Sequence, residues 1–350
     1  MEIRTLAAGE HDELLELLNG WEIPDGWQGR DFFRRYLEHD PSYEDQNIHV
    51  AEDSGRLIAC VQIFPRRIRI LGHAVPAGGI GTVFTAPERR GQGVSSQLLA
   101  RAVDSMVDRE MEVSLLFGVR AQFYRRAGWE PWRAERSVLT KADARPPGVG
   151  ETLAADAGIE IHDFDRARDF AAVKAIHSAY SAPRSGTVVR DDELWQASLT
   201  LAGNPDEEFL VARQGGAAVA YVRCTLLNGL LTMTELARTE EAAVPLALLM
   251  ARCLETRDPD PLAPASLSSR QLRGALLLPV FDDLPLTVAL EHRGFTSHPF
   301  EDPTTMLRCL NMNAMAERLD ITLFPDEVPE EFLKRILPQD TLVFWPADRF

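Results

Sequence analysis

The amino-acid sequence predicts an α/β protein with mixed sheets, arranged as two successive units of similar architecture. Alternating polar and apolar segments typical of strands are interspersed with apolar residues at the three- and four-residue spacing typical of helices. The order of these segments over residues 1–148 recurs over residues 158–308. Between them the stretch RPPGVGETLAADAG, residues 145–158, is rich in proline, glycine and alanine and predicts a domain boundary.

The first unit is predicted to alternate strands and helices in the order expected for a mixed sheet. Leucines line one side of the first helix, and the helix that begins after Gly93 carries apolar residues at spacings of three and four. Pro65 is expected to interrupt the long third strand. The predicted elements are a strand at 1–5, helices at 10–19 and 31–38, strands at 47–52, 57–70 and 78–85, a helix after Gly93, a strand at 113–117 and a short helix at 123–126.

The second unit repeats this order, and a short C-terminal segment at 309–350 follows it. The segment has a weaker pattern and ends in an apolar stretch at 341–346. The predicted elements of both are a helix at 167–180, strands at 208–213, 217–225 and 231–236, a helix at 242–255, and further helices near 312–319 and 329–336.

Composition and charge exclude several classes of protein. A net charge of −16 repels phosphate backbones, which argues against a nucleic-acid partner and favours cationic ligands, although acidity also serves solubility alone. The four cysteines lie far apart without CxxC spacing, so the sequence predicts neither a metal site nor a disulfide framework. No apolar run approaches the roughly 20 residues of a membrane helix, and no signal peptide is evident at the N-terminus. We therefore expect a cytoplasmic protein without a membrane partner.

The most informative stretch is VFTAPERRGQGVSSQLL, residues 83–99, which runs from a strand through a glycine-containing turn into a helix. Gly91 and Gly93 allow the backbone to approach a bulky anion, and the first turn of the helix offers unpaired N–H groups. Arg90 adds a positive charge. A P-loop would need Gly-Lys-Ser/Thr, and a Rossmann fingerprint would need a third glycine where Ser96 stands. Both are therefore rejected, and the sequence predicts another kind of pyrophosphate site.

The turn Arg90-Gly91-Gln92-Gly93-Val94-Ser95 resembles the Q/R-x-x-G-x-G/A pyrophosphate motif of GNAT acetyltransferases. Thirty residues later, Phe123-Tyr124-Arg125-Arg126-Ala127-Gly128-Trp129 resembles the FYxRxGF/W segment of the same superfamily, in which the tyrosine often acts as general acid for the departing CoA thiolate. A tyrosine pKa near 10 and a thiol pKa near 8.5 permit that proton transfer. Packing of Tyr124 as a core side chain is the alternative.

Across residues 50–135 the sequence resembles the enhanced intracellular survival (Eis) branch of the superfamily. The resemblance implies two tandem GNAT-like domains, of which only the first binds acetyl-CoA, and acceptors that are amines of aminoglycosides, polyamines or lysine-like substrates. It also implies a homo-oligomer and a C-terminal carboxylate, here that of Phe350, as general base. The segment 305–319 resembles the entry to the Eis C-terminal domain, but the residues after it are too few for that domain, so the C-terminal region is shortened and the role of Phe350 is in doubt.

The resemblance also assigns individual residues of the site. Carried over position by position, the residues that bind acetyl-CoA are Val83, Phe84, Thr85, Arg90, Gly91, Gln92, Gly93, Val94, Ser95, Ser96, Val119 and Arg120. We expect the acceptor between the segment 21–36 and the second unit, where aromatic and acidic side chains suit an amphipathic cation. The candidates there are Trp21, Glu22, Asp25, Trp27, Phe32 and Phe33. The alternative is that this segment is a surface loop held in place by aromatic residues of the core.

The expected reaction is a direct acetyl transfer to a primary amine. An ammonium group has no lone pair, so a carboxylate or an ordered water must first remove a proton. The amine then attacks the thioester, backbone N–H groups near Val83 polarise the carbonyl, and Tyr124 protonates the thiolate. Two alternatives remain open: an enzyme that uses a different acyl donor, and a non-catalytic regulator that only binds acyl-CoA.

Overall fold

A computed structural model of the chain describes residues 1–22, 28–132, 134–141, 158–201, 207–227, 230–256, 276–279, 283–338 and 341–348. The strands are β1 (Glu2–Thr5), β2 (Ile48–Asp53), β3 (Arg56–Ile70), β4 (His73–Thr85), β5 (Val113–Phe117), β6 (Glu130–Pro131), β7 (Ala134–Lys141), β8 (Ile159–Asp163), β9 (Glu208–Gln214), β10 (Ala217–Leu227), β11 (Leu230–Arg238), β12 (Leu276–Pro279), β13 (Phe295–Asp302) and β14 (Thr305–Cys309). The helices are α1 (His11–Leu18), α2 (Gly29–His39), α3 (Val94–Asp108), α4 (Ala121–Arg126), α5 (Arg166–Ser181), α6 (Asp192–Leu201), α7 (Ala243–Thr256), α8 (Leu284–His292), α9 (Met312–Arg318) and α10 (Pro329–Ile336). The predicted α/β class with mixed sheets is confirmed. Within these ranges, no helix is both long and apolar enough to cross a lipid bilayer.

Two seven-stranded sheets share one topology. The first has the strand order β1-β2-β3-β4-β5-β14-β6, and the second has β8-β9-β10-β11-β12-β7-β13. In each sheet the neighbours pair antiparallel except at one place, where β4 and β5 in the first sheet and β11 and β12 in the second run parallel. The two halves are therefore built on the same frame, as the repeated order of elements indicates.

Each half lends one strand to the sheet of the other. Strand β7, which the sequence places in the first unit, pairs with β12 and β13 of the second sheet. Strand β14, which comes after the second unit's other strands, pairs with β5 and β6 of the first sheet. The sheets thus do not coincide with the predicted ranges 1–148 and 158–308, because the chain crosses between them twice.

Strand β3 continues without a break through Pro65, so the predicted interruption is wrong. Its pairing with β2 ends at Gln62, while its pairing with β4 extends to Ile70. Beyond Gln62 the strand has no β2 residue opposite it, and a proline is tolerated where no neighbouring strand needs its N–H group.

The C-terminal segment packs between the two halves. Leu342 and Phe344 belong to the apolar core under the first sheet, whereas Val343 and Trp345 belong to the core of the second. This alternation is that of an extended chain with one side toward each core. The backbone N–H of Val343 donates to the carbonyl of Ser185 at 2.9 Å. The stretch therefore fastens the two halves together.

Candidate active site

The site begins where two parallel strands separate. Strands β4 and β5 are in register from Ala77 opposite Val113 to Ile80 opposite Leu116, and β4 then continues alone to Thr85. The backbone groups of residues 81–85 that face away from β3 consequently have no neighbouring strand on the β5 side. Such groups are obligatory hydrogen-bonding partners, which a ligand lying in the gap can satisfy.

A strained residue redirects the end of β4 into this gap. The register between β3 and β4 shifts between Cys60 and Gln62, and opposite that shift Thr82 adopts a φ of +50°. A left-handed conformation is costly for a β-branched residue and is concentrated at functional sites. Two contacts hold it in place: Thr82 Oγ1 donates to Gln62 Oε1 at 3.2 Å, and Cys60 Sγ donates to the Thr82 carbonyl at 3.4 Å. The bulge aims residues 83–85 at the gap.

The glycine turn lies directly beyond the end of β4. Gly91 and Gly93 have φ values of +78° and +77°, and Gly93 is the N-cap of α3. No side chain caps this helix, so its first N–H groups and the positive end of its dipole face the turn. Arg90 is exposed, and its Nε donates to the Thr85 carbonyl at 3.2 Å. The arrangement is an anion site that supplies backbone donors and one guanidinium.

Tyr124 lies on α4, across the gap from β4. Its ring packs against Gly118, where an added Cβ would come within 2.5 Å of the ring. Burial raises the pKa of Tyr124 above its ordinary value, and Arg120 opposes that shift. The hydroxyl is therefore protonated at neutral pH and is able to donate a proton to a leaving group.

These features line a single cleft of about 1180 Å³. The residues that the sequence assigned to the site and that line it are Trp21, Glu22, Phe32, Phe33, Val83, Phe84, Thr85, Arg90, Gly91, Gly93, Val94, Ser95, Ser96, Val119, Arg120 and Tyr124. Gln92 is not among the lining residues, because its side chain turns back to donate to the Glu88 carbonyl at 3.3 Å. Asp25, Trp27 and Phe350 lie outside the described residues.

Aromatic rings form one end of the cleft. The Trp21 ring stacks on Phe84 with centroids 5.7 Å apart, and it lies 5.2 Å from the ring of Phe33. Glu22 is the one carboxylate among the lining residues that the structure describes, beside four arginines at positions 35, 89, 90 and 120. Aromatic faces rather than a cluster of acids thus dominate this end.

Several lining residues come from parts of the chain that the motifs do not reach. The second half contributes Leu201, Thr225 and Thr234, and the C-terminal segment contributes Pro346 and Ala347. The side chain of Arg35 donates to the carbonyl of Thr200 at 3.1 Å and thereby links α2 to the end of α6. Both halves therefore build the cleft, and no local sequence signal marks the contribution of the second.

Residues 2–132 match the family model of the acetyltransferase (GNAT) domain. The chain carries a GNAT domain. This assignment makes the chain an acyl-CoA-dependent N-acetyltransferase, and the GNAT domain contains both the glycine turn and Tyr124.

Solved structures share the fold over most of the chain. A GCN5-related N-acetyltransferase from Kribbella flavida is 21% identical, with a TM-score of 0.60 over 89% of this chain and 73% of that one. Eis1 from Mycobacterium abscessus is 16% identical, with a TM-score of 0.58 over 91% of this chain and 76% of that one. The N-myristoyltransferase of Saccharomyces cerevisiae, solved with bound myristoyl-CoA, is 12% identical, with a TM-score of 0.53 over 88% and 78%. No curated protein matches the sequence. The likeness confirms the predicted fold.

Proposed function

We propose that the chain transfers an acetyl group from acetyl-CoA directly to a primary amine of a cationic acceptor. The observation that carries the proposal is that one cleft joins the glycine turn, the free edge of β4 and Tyr124. A pyrophosphate on the turn and a pantetheine chain along β4 would bring the thioester to Tyr124.

The acceptor is proposed to bind at the aromatic end of the cleft. Trp21 and Phe33 offer ring faces to a cation, and Glu22 offers a carboxylate. The net charge of −16 raises the local concentration of cations around the protein. An aminoglycoside, a polyamine or a lysine side chain has the required amine.

Tyr124 is proposed to be the general acid. As the amine attacks the thioester carbon, the C–S bond breaks, and the phenol proton moves to the departing sulfur. Because burial raises the pKa of Tyr124, this transfer is uphill, a cost that a concerted step can absorb. A carboxylate or water accepts the proton of the amine. The carboxylate of Phe350 is proposed for that role, since Pro346 and Ala347 of the same segment line the cleft.

The first test is a thiol-release assay with acetyl-CoA and a panel of aminoglycosides, polyamines and lysine peptides. We expect turnover with at least one amine, and a loss of about tenfold or more in kcat for Tyr124→Phe with unchanged binding of CoA. Tyr43→Phe is the matched control, because its hydroxyl bonds to Asp45 outside the cleft and its loss should leave kcat unchanged. A Tyr124→Phe protein with wild-type kcat would rule out the acid role.

Two further measurements separate the alternatives. A panel of acetyl-, propionyl-, octanoyl- and myristoyl-CoA identifies an enzyme with a different acyl donor. Binding of CoA in calorimetry without turnover for any donor and any amine would favour a regulatory protein that only binds acyl-CoA. A variant lacking Phe350 should lose turnover but still bind CoA if its carboxylate is the base.

A further inference from the structure

A cluster of charged side chains lies buried directly behind the wall of the cleft. Arg190, which precedes α6, has a fully buried side chain. Its Nε donates to Asp348 Oδ1 at 2.7 Å, and its Nη2 donates to Glu235 Oε2. The guanidinium also lies over the ring of Trp195, 4.5 Å from its centre. Arg190 therefore connects three stretches of chain that are far apart in sequence.

Two of these stretches form the cleft wall beside the cluster. Pro346 and Ala347 line the cleft and immediately precede Asp348, with which they form a short 3-10 turn. Thr234 also lines the cleft and immediately precedes Glu235. Since consecutive Cα atoms are about 3.8 Å apart, the ion pairs are one residue removed from the cleft surface. Movement of Asp348 would therefore move the wall.

The attachment of Asp348 depends on Arg190. Among the described residues, Arg190 is the one hydrogen-bond donor to the Asp348 carboxylate, whose Oδ2 atom has no partner. Glu235, by contrast, is held from two sides, since the hydroxyl of Tyr221 donates to its Oε1 at 2.7 Å. Arg190 thus ties the C-terminal turn to a carboxylate fixed in strand β11.

The cluster is not built as a metal site. His177, Glu235 and Asp348 place possible ligand atoms within 4.8 Å of one another. The guanidinium of Arg190 already lies between the two carboxylates and supplies the positive charge that a cation would bring. The ion pairs therefore hold the side chains of this cluster in place rather than bind a metal ion.

We propose that Arg190 is a positioning residue for acetyl transfer: by holding Asp348 against Glu235 it keeps Pro346 and Ala347 in place on the wall of the cleft. The inference rests on the proposed function, because an effect on turnover requires that an amine bind in the cleft. Among the described residues, no hydrogen bond, ion pair or cation–ring contact joins Arg190 to the cofactor turn at residues 90–96. Its loss should consequently affect the acceptor and leave CoA binding intact.

The test compares wild type with Asp348→Asn and Arg190→Lys. The Asp348→Asn variant keeps an oxygen for the Arg190 Nε but removes the charge, and Arg190→Lys keeps the charge but cannot reach both carboxylates. We expect kcat/KM for the acceptor to fall about tenfold in each, with the Kd for CoA within about twofold of wild type. Hydrogen exchange of the peptide covering 341–348 should become faster.

Asp169→Asn is the matched control. Asp169 accepts from Arg213 in a buried pair between α5 and β9, away from the cleft lining. This variant should lose thermal stability to a similar degree, yet keep wild-type kcat/KM and exchange at 341–348. A general loss of stability would lower both kinetic parameters and CoA binding in all three variants.

Two results would overturn the inference. One is a folded Asp348→Asn or Arg190→Lys protein with wild-type kcat/KM for the acceptor. The other is an equal loss of CoA affinity, which a positioning role does not produce. If wild type turns over no amine at all, the proposed function fails. Hydrogen exchange then tests by itself whether Arg190 anchors Asp348: unchanged protection of residues 341–348 in Asp348→Asn refutes the inference.

Discussion

The loop after β4 and the loop after β11 occupy the same place in two copies of one frame, yet they differ in every property that binds phosphate. The first loop has two glycines at positive φ and the exposed Arg90 before α3. The second runs Thr239-Glu240-Glu241-Ala242 into α7, with two exposed glutamates and no glycine. Carboxylates at a helix N-terminus satisfy its dipole and repel phosphate. A few loop residues therefore decide which of the two equivalent loops is suited to bind phosphate.

The gap between the parallel strands also differs in the two halves. In the first half, β4 passes beyond β5 and the space opens into the cleft. In the second half, β11 pairs with β12 at Leu231 and Thr232 among the described residues, and farther along β11 the side chain of Glu235 is buried in ion pairs. The first half leaves polar backbone groups for a ligand, whereas the second pairs the charged side chain of Glu235 with Arg190.

The largest expected effect that tests this difference is the dependence of the protein's stability on Glu235 at low pH. Burial opposes its ionisation, but Arg190, His177 and Arg223 together lower its pKa to about 2. A lowered pKa gives stability that is present above the ordinary value of 4.5 and is lost as pH falls toward 2. Asp348, whose pKa burial raises, contributes in the opposite direction.

Glu235→Gln should therefore be less stable than wild type at pH 7 by about 3 kcal/mol, and the difference should close as pH falls from 4.5 to 2. Denaturant unfolding at a series of pH values measures it. Parallel stability curves for the two proteins across this window would show that Glu235 is not held by the cluster.

The next effect concerns the glycine turn. Gly93 and Gly216, with φ of +77° and +83°, both have open space where a Cβ would stand. Alanine at either position should cost about 1 kcal/mol of stability, since the left-handed conformation is strained. Only Gly93→Ala places a methyl group where the pyrophosphate would approach, so it should weaken CoA binding about tenfold, while Gly216→Ala leaves it unchanged. Equal CoA affinities in calorimetry would remove the turn from the site.

Much of the first half could be predicted because its signals are local. The glycine turn, the start of α3 after Gly93 and the tyrosine of α4 depend on residues close together in sequence. The exchange of β7 and β14 depends on pairing between distant segments, which leaves no periodic trace in either. The same holds for Arg190 and Asp348, whose contact spans 158 positions. Pro65 misled the prediction because a proline signals an interruption only where a strand has neighbours on both sides.

A smaller effect separates two arginines. Arg90 is exposed at the cofactor turn, whereas Arg238, at the end of β11, donates to both carboxylate oxygens of Asp283 at 3.1 and 2.7 Å. Arg90→Gln should weaken CoA binding about fivefold, less so at high salt, with little change in stability. Arg238→Gln should lower the melting temperature and leave CoA affinity unchanged. The reverse pattern would mean that the second half, not the first, binds the phosphates.

The smallest expected effect is on the pH dependence of kcat, which should be nearly flat. Tyr180 and Tyr221 of the second half donate their hydroxyls to Asp283 and Glu235, whereas the Tyr124 hydroxyl makes no hydrogen bond within the described part of the chain. Tyr124 is thus free to donate to a ligand, and because burial raises its pKa above the ordinary value, it stays protonated at mildly alkaline pH. With an acceptor amine that is neutral by about pH 8, kcat should change by less than about twofold from there to about pH 9.5. A fall in kcat above about pH 8 that disappears in Tyr124→Phe would show instead that the bound cofactor lowers the pKa of Tyr124. Tyr180 and Tyr221 of the second half would then be poor comparisons for Tyr124.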